Sequence, residues 1–182
     1  MRRDVCNTFL AAARGIPGLL WLGVSCLGCT DAAHLDSDEA KQRVILEMCV
    51  DNERSFPGVP ELSPEEAAAM QAAGGVVFVD VREREEFAVS HLPGAILVDA
   101  FEKSAAQHRD AKVIAYCTIG YRSGLYAAKL REKGFDAYNL RGSLLSWVHA
   151  GRPLVDEAGD TKRLHVYGRK WDLAPAGYDT TW

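Results

Sequence analysis

Cys117 and Arg122, with Thr118, Ile119, Gly120 and Tyr121 between them, are the residues whose types and spacing most directly suggest chemistry. A free thiol titrates near ~8.5 and is mostly inert at neutral pH, unless nearby donors or positive charge favour the thiolate. Arg122 offers a permanent cation whose planar fork can hold an oxyanion by paired hydrogen bonds. Gly120 can take positive φ and puts no Cβ into the cavity. Together they describe a nucleophilic cysteine in an electropositive cradle, suited to a small anionic substrate.

The elements that must position this cradle are legible around it. Val113, Ile114, Ala115 and Tyr116 form a short apolar run, and Ser123 to Lys133 continue as an amphipathic helix closed by Gly134. Strand, loop and helix in that order direct successive backbone N–H groups at one point, and the helix N-terminus adds about +0.5 of a charge there.

The run Cys117-Thr118-Ile119-Gly120-Tyr121-Arg122 resembles the active-site loop of the single-domain rhodanese sulfurtransferase family. Flanking segments extend the resemblance: Asp80-Val81-Arg82, Glu86-Phe87, His91-Leu92 and Pro93-Gly94-Ala95 upstream, then Gly142, Trp147, Gly151 and Pro153 downstream. Several spaced matches in order are specific where a lone Cys-x-x-Gly-x-Arg would not be. The resemblance covers residues 59–155 and implies a rhodanese-like α/β fold, an open parallel sheet flanked by helices on both faces. It also implies catalysis through a Cys117 persulfide, with residues 118–122 binding substrate and no cofactor or metal. The expected partners are thiosulfate or a similar anionic sulfur donor and a thiol, cyanide-like or protein acceptor. Asp80 and Arg82 end a strand at the same sheet edge as Cys117, either bracing the loop or meeting substrate. His91 is either a turn-holding residue, as the resemblance suggests, or a general base.

Two rival functions remain open. Phosphatases and arsenate reductases of this fold place one more residue between Cys and Arg to surround a tetrahedral oxyanion, and this loop carries no aspartate as general acid. A persulfide carrier, sensor or interaction module with little turnover is the other alternative.

Composition bounds the rest. With 182 residues and a net charge of −4 the chain holds one sizeable core, and its scattered basic residues give no footprint for nucleic acid. The five cysteines form no disulfide framework. Cys26-Leu27-Gly28-Cys29 is formally a CxxC, but it lies in an apolar run with no second metal-binding pair. Arg2, Arg3 and Arg14 followed by the uncharged stretch 15–28 resemble a signal peptide over residues 1–29. Lipid attachment at Cys26 or Cys29 would anchor the protein in the periplasm or cell envelope. Cleavage after export and a cytoplasmic tail are the alternatives.

Residues 30–58 read as a polar spacer and an amphipathic helix from Asp38 bearing Val44, Ile45, Met48 and Val50. Its Cys49 is either a buried small hydrophobe or a resolving thiol for Cys117. Val59 to Leu62 suggests an edge strand, and Ser63-Pro64-Glu65-Glu66 a capping box. Strands follow over Val76–Val79, Ile96–Val98 and Phe135–Leu140, with a solvated helix over 102–110 carrying a surface His108. The aromatic tail, 156–182, has Leu164–Tyr167 as a candidate strand. Its Trp171, Tyr178 and Trp182 either staple the tail down or roof the active-site mouth.

Overall fold

The apolar runs pair into one parallel sheet in the computed structural model, which describes residues 37–182. Its strands are β1 (Glu61–Leu62), β2 (Val76–Asp80), β3 (Ile96–Leu97), β4 (Lys112–Tyr116) and β5 (Asp136–Leu140), in the order β1-β5-β4-β2-β3. β4 is central, with Val77 opposite Val113 on β2 and Ala137 opposite Val113 on β5. The two-residue side-chain period then sorts the core. Ile114, Tyr116 and Phe78 point to one face, Val113, Ala115 and Val79 to the other.

Helices cover both faces: α1 (Asp38–Glu53), α2 (Pro64–Ala73) and α6 (Ser143–His149) pack on the first, α4 (Val98–Lys103) and α5 (Tyr121–Glu132) on the second. A short α3 (Arg84–Val89) follows β2. The capping box of α2 forms, with Ser63 Oγ accepting the Glu66 N–H at 3.2 Å and Glu66 Oε2 accepting the Ser63 N–H at 2.8 Å. In α1 the buried stripe is Ala40, Ile45 and Cys49, while Val50, grouped with the apolar face in the sequence, is exposed. Val98 likewise begins α4 instead of extending β3, so the helix starts before residue 102. Phe101 is the reason: it is buried between β-sheet and Phe135, and a 3-10 turn over Ala105–His108 follows. His108 stacks on Phe101 at 5.5 Å instead of standing free at the surface.

The tail folds onto the first face. β6 (Leu154–Asp156) and β7 (Gly159–Thr161) make a hairpin, and β8 (Arg163–His165) pairs in parallel with β9 (Asp179–Thr181). Leu164, Val166, Leu173 and Ala174 join the same core as Trp147 and Ile114. Lys41 Nζ donates to Ala174 O and the Ala176 N–H to Asp38 Oδ1, tying the tail to α1. The segment after Val155 is thus part of the packed domain. Among the described residues no helix is long and apolar enough to cross a membrane. The signal-peptide reading, and the anchor at Cys26 or Cys29, fall outside the described residues.

Candidate active site

Cys117 follows the last residue of the central strand, and the chain turns through Thr118, Ile119 and Gly120 into α5. Each carbonyl of that turn is occupied. Leu144 N–H donates to Cys117 O and Leu145 N–H to Thr118 O, both at 3.2 Å, from the first turn of α6. Asn52 Nδ2 reaches Ile119 O at 3.5 Å, and Asn139 Nδ2 donates to Gly120 O at 3.1 Å. With the carbonyls engaged behind the loop, amide hydrogens face the cysteine. Gly120, at φ +100°, donates its N–H to Cys117 Sγ at 3.1 Å. Ser143 takes a strained φ of 48° and accepts the Cys117 N–H with its Oγ at 3.0 Å.

Burial is the largest influence on the Cys117 thiol and opposes ionisation, since the residue is 1% exposed. The Ser123 N–H and hydroxyl, the Arg122 charge and the Gly120 N–H together outweigh it and lower the thiol pKa. Ser123 Oγ lies 3.6 Å from Sγ and 2.6 Å from Asn139 Oδ1. Asn139 in turn donates to Glu61 Oε1 at 2.6 Å, so a buried polar chain runs from Glu61 to the nucleophile.

The family model described as the rhodanese-like domain matches residues 63–150, from the cap of α2 to the end of α6. This chain carries a rhodanese-like domain. The tRNA sulfurtransferase of Desulfurococcus amylolyticus is 42% identical over 88 residues, which are 45% of this chain and 18% of that protein. The tRNA uridine(34) hydroxylase of Chlamydia trachomatis is 34% identical over 98 residues, 47% of this chain and 30% of that protein. The chain therefore spans under a third of these relatives. The crystal structure of thiosulfate sulfurtransferase from Pseudomonas aeruginosa superposes with a TM-score of 0.51 at 23% identity, covering 62% of this chain and 23% of that one, and shows the same fold.

Within the rhodanese-like domain Arg122 is not a free cation. Its Nη1 and Nη2 donate to Glu86 Oε2 and Oε1, both at 2.9 Å. Burial alone would raise the Glu86 pKa; the Arg122 pair and the Glu83 N–H hold it below the usual carboxylate range. The Arg122 guanidinium also lies 4.9 Å from the Tyr167 ring centroid. Glu86 thus takes two of the five N–H donors of Arg122, whose charge also acts on Cys117.

Asp80 and Arg82 form a buried ion pair at 2.7 Å, and Arg82 Nη2 donates to Ser90 O at 2.7 Å. They fix the connection between β2 and α3 and meet the root of the loop, with Arg82 5.8 Å from the Tyr116 ring centroid and the Val81 N–H bonding Tyr116 O at 3.0 Å. His91 stacks on Phe87 at 3.8 Å, and its backbone pairs with Val155 at 2.9 Å. Its ring is engaged in the turn, away from the cysteine cavity.

That cavity, about 240 Å³, has Cys117 at its base, with Thr118, Ile119, Tyr121 and Arg122 on one side and Tyr167 and Trp171 on the other. The tail thus both staples itself to the core and roofs the site. Cys49 is buried and its thiol is pushed up to about 11, by burial first and then by the Glu61 charge, against Arg141. Burial therefore favours the protonated thiol at neutral pH, whereas a resolving role would call for thiolate.

Glu86, Ser123, Asn139 and Ser143 are the site residues whose roles sequence reasoning missed. Glu86 had a local signal, standing three residues after Glu83 where its carboxylate returns to the Glu83 N–H at 3.0 Å. Ser123 had its place in the first turn after Arg122. For Asn139 and Ser143 the contacts span 16 to 26 residues, and nothing local marks them.

Proposed function

We propose that this protein is a sulfurtransferase that carries sulfane sulfur as a Cys117 persulfide from a donor to a thiophilic acceptor. The carrying observation is the loop: a cysteine of lowered pKa, a Gly120 N–H on its sulfur, and every loop carbonyl turned away. Thiolate attack on the outer sulfur of thiosulfate forms the S–S bond and releases sulfite. The persulfide anion then meets the same donors as the thiolate did. An acceptor thiolate or cyanide takes the outer sulfur and returns Cys117 as thiolate.

The names of the relatives raise tRNA as a final recipient. A net charge of −4 without a basic stripe favours a small thiol or a protein acceptor for this chain. Intact mass after incubation with thiosulfate is the test. One sulfur should be gained, lost again to cyanide with release of thiocyanate, and absent from Cys117→Ser. Undiminished loading of the serine variant would refute the assignment.

A further inference from the structure

The buried polar chain behind the nucleophile begins at a carboxyl group that sulfur transfer leaves unused. Glu61 lies on β1, just before the stretch that matches the family, and stands opposite Asn139 in the parallel β1–β5 pair, so both side chains leave the sheet on the same side. Its side chain is 13% exposed, beside a cavity of about 360 Å³ lined by Glu53, Phe56, Gly58, Val59 and Arg141. Oε1 accepts the Asn139 Nδ2–H at 2.6 Å. Oε2 is buried 3.9 Å from Arg141 Nε and has no hydrogen-bond partner among the described residues. The titratable and charged groups facing it are Glu53 and Cys49 of α1 and Arg141 just past β5, whose Nη2 is taken by Glu53 Oε1 at 3.1 Å. From α2, Glu66 serves the Ser63 cap instead. Burial first, then Glu53, raises the Glu61 carboxyl to about 7, so its charge changes near neutral pH.

The next links have one proton to share. Gly120 O and an ionised Glu61 Oε1 only accept, so the Asn139 amide turns its NH₂ to both, at 3.1 and 2.6 Å, and its Oδ1 to Ser123. Ser143 spends its own hydroxyl proton on Leu140 O at 3.1 Å. The single Ser123 hydroxyl proton therefore has three acceptors: Asn139 Oδ1 at 2.6 Å, Ser143 Oγ at 3.3 Å and Cys117 Sγ at 3.6 Å. Asn139 holds it most closely. An ionised Glu61 polarises the Asn139 amide and makes Oδ1 the stronger acceptor, whereas a neutral Glu61 weakens that hold and yields the proton to the thiolate.

We propose that Glu61 is a positioning residue for the nucleophile: its charge, carried through Asn139, decides whether the Ser123 hydroxyl proton rests on Asn139 or on the Cys117 sulfur. The Glu61 carboxylate and the Cys117 thiolate then disfavour each other by about one pKa unit, a shift that falls mainly on whichever group titrates at the higher pH. The proposal rests on the sulfur-transfer reading only in that the same thiolate attacks the donor and leaves on delivery; alkylation reports that thiolate with no sulfur donor present.

The test uses the full chain. Iodoacetamide labelling across pH gives the Cys117 inflection in wild type and Glu61→Gln, and carbon NMR of the side-chain carboxyls gives the Glu61 inflection in wild type and Cys117→Ser. Both substitutions keep the side-chain shape. The Cys117 inflection should fall in Glu61→Gln and the Glu61 inflection in Cys117→Ser, the two falls together amounting to about one unit. If neither moves, the proposal is overturned. In a Ser123→Ala background the shift should shrink to less than about half, since the relay has lost its proton. The full shift in that background would mean that the charge acts through space, and would overturn the relay as well. Thiosulfate loading, kept or lost, bears on the sulfur-transfer reading alone.

Discussion

Gly120→Ala would isolate the contribution of a single amide to the nucleophile. The added methyl has room, its nearest neighbours being Asn139 Nδ2 and the Gly142 nitrogen at 3.5 Å and Leu140 O at 3.6 Å. The obstacle is the backbone: at φ +100° an L side chain costs about 1–2 kcal/mol, against a total stability of about 5–15 kcal/mol. The protein should stay folded and relieve strain by rotating the peptide between Ile119 and Gly120. That rotation draws the N–H away from Sγ, now 3.1 Å distant. A hydrogen bond to a charged acceptor contributes about 1.5–3 kcal/mol, and about 1.4 kcal/mol is one pKa unit, so the Cys117 inflection should rise by about one to two units. Below both inflections the thiolate fraction falls about tenfold per unit while its nucleophilicity rises about threefold, leaving alkylation about three to tenfold slower. Iodoacetamide labelling across pH, read peptide by peptide, measures this, because Cys49 titrates only at about 11 and is resolved separately. A folded variant with an unmoved Cys117 inflection would show that this amide does not support the thiolate.

Glu86→Gln removes the charge that occupies Arg122 while keeping the side-chain shape. Stability should fall by about 1–3 kcal/mol in urea unfolding, and thiosulfate kcat/KM should rise several-fold as the guanidinium becomes available to the donor; a fall instead would mean that Glu86 serves to aim Arg122. The Glu61 carboxyl is raised to about 7, by burial first and by the Glu53 hydrogen bond, against Asn139 and Arg141. The folded state therefore keeps a proton that the unfolded chain releases near ~4.3, and this group's stabilisation is full below that pH and lost as pH rises through about 7. Urea midpoints should decline across that window, and Glu61→Gln should flatten the decline; an identical slope in the variant would contradict the assignment.

The parts of the site readable from sequence are those whose cause is local. The change from an alternating to a helical pattern around Cys117, the glycine at 120 and the Ser63-Pro64-Glu66 cap each act within a few residues, and each element stands where the pattern put it. The buried network behind the cysteine was not readable because its members meet only through the parallel sheet. Asn139 reaches Ser123 and Gly120 since β5 lies beside β4, and Ser143 reaches Cys117 since α6 starts beneath the loop. Arg122 shows the same limit from the other side: its type was informative, but its partner Glu86 comes 36 residues earlier. In the tail, strands of three residues with distant partners leave no periodic trace, and a positive φ at Tyr167 has no signature in a tyrosine.

The roof over the cysteine is contributed by Tyr167 and Trp171, which lie beyond the stretch 63–150 that matches the family. The nucleophile and the wall that faces it across the cavity consequently come from different parts of the chain. Tyr167 touches the reactive part at one point, the Arg122 guanidinium 4.9 Å from its ring centroid, so the two parts meet at the cation that lowers the thiol pKa. In the loop the backbone does both jobs, since the Gly120 N–H that faces the cavity also bonds the Cys117 sulfur.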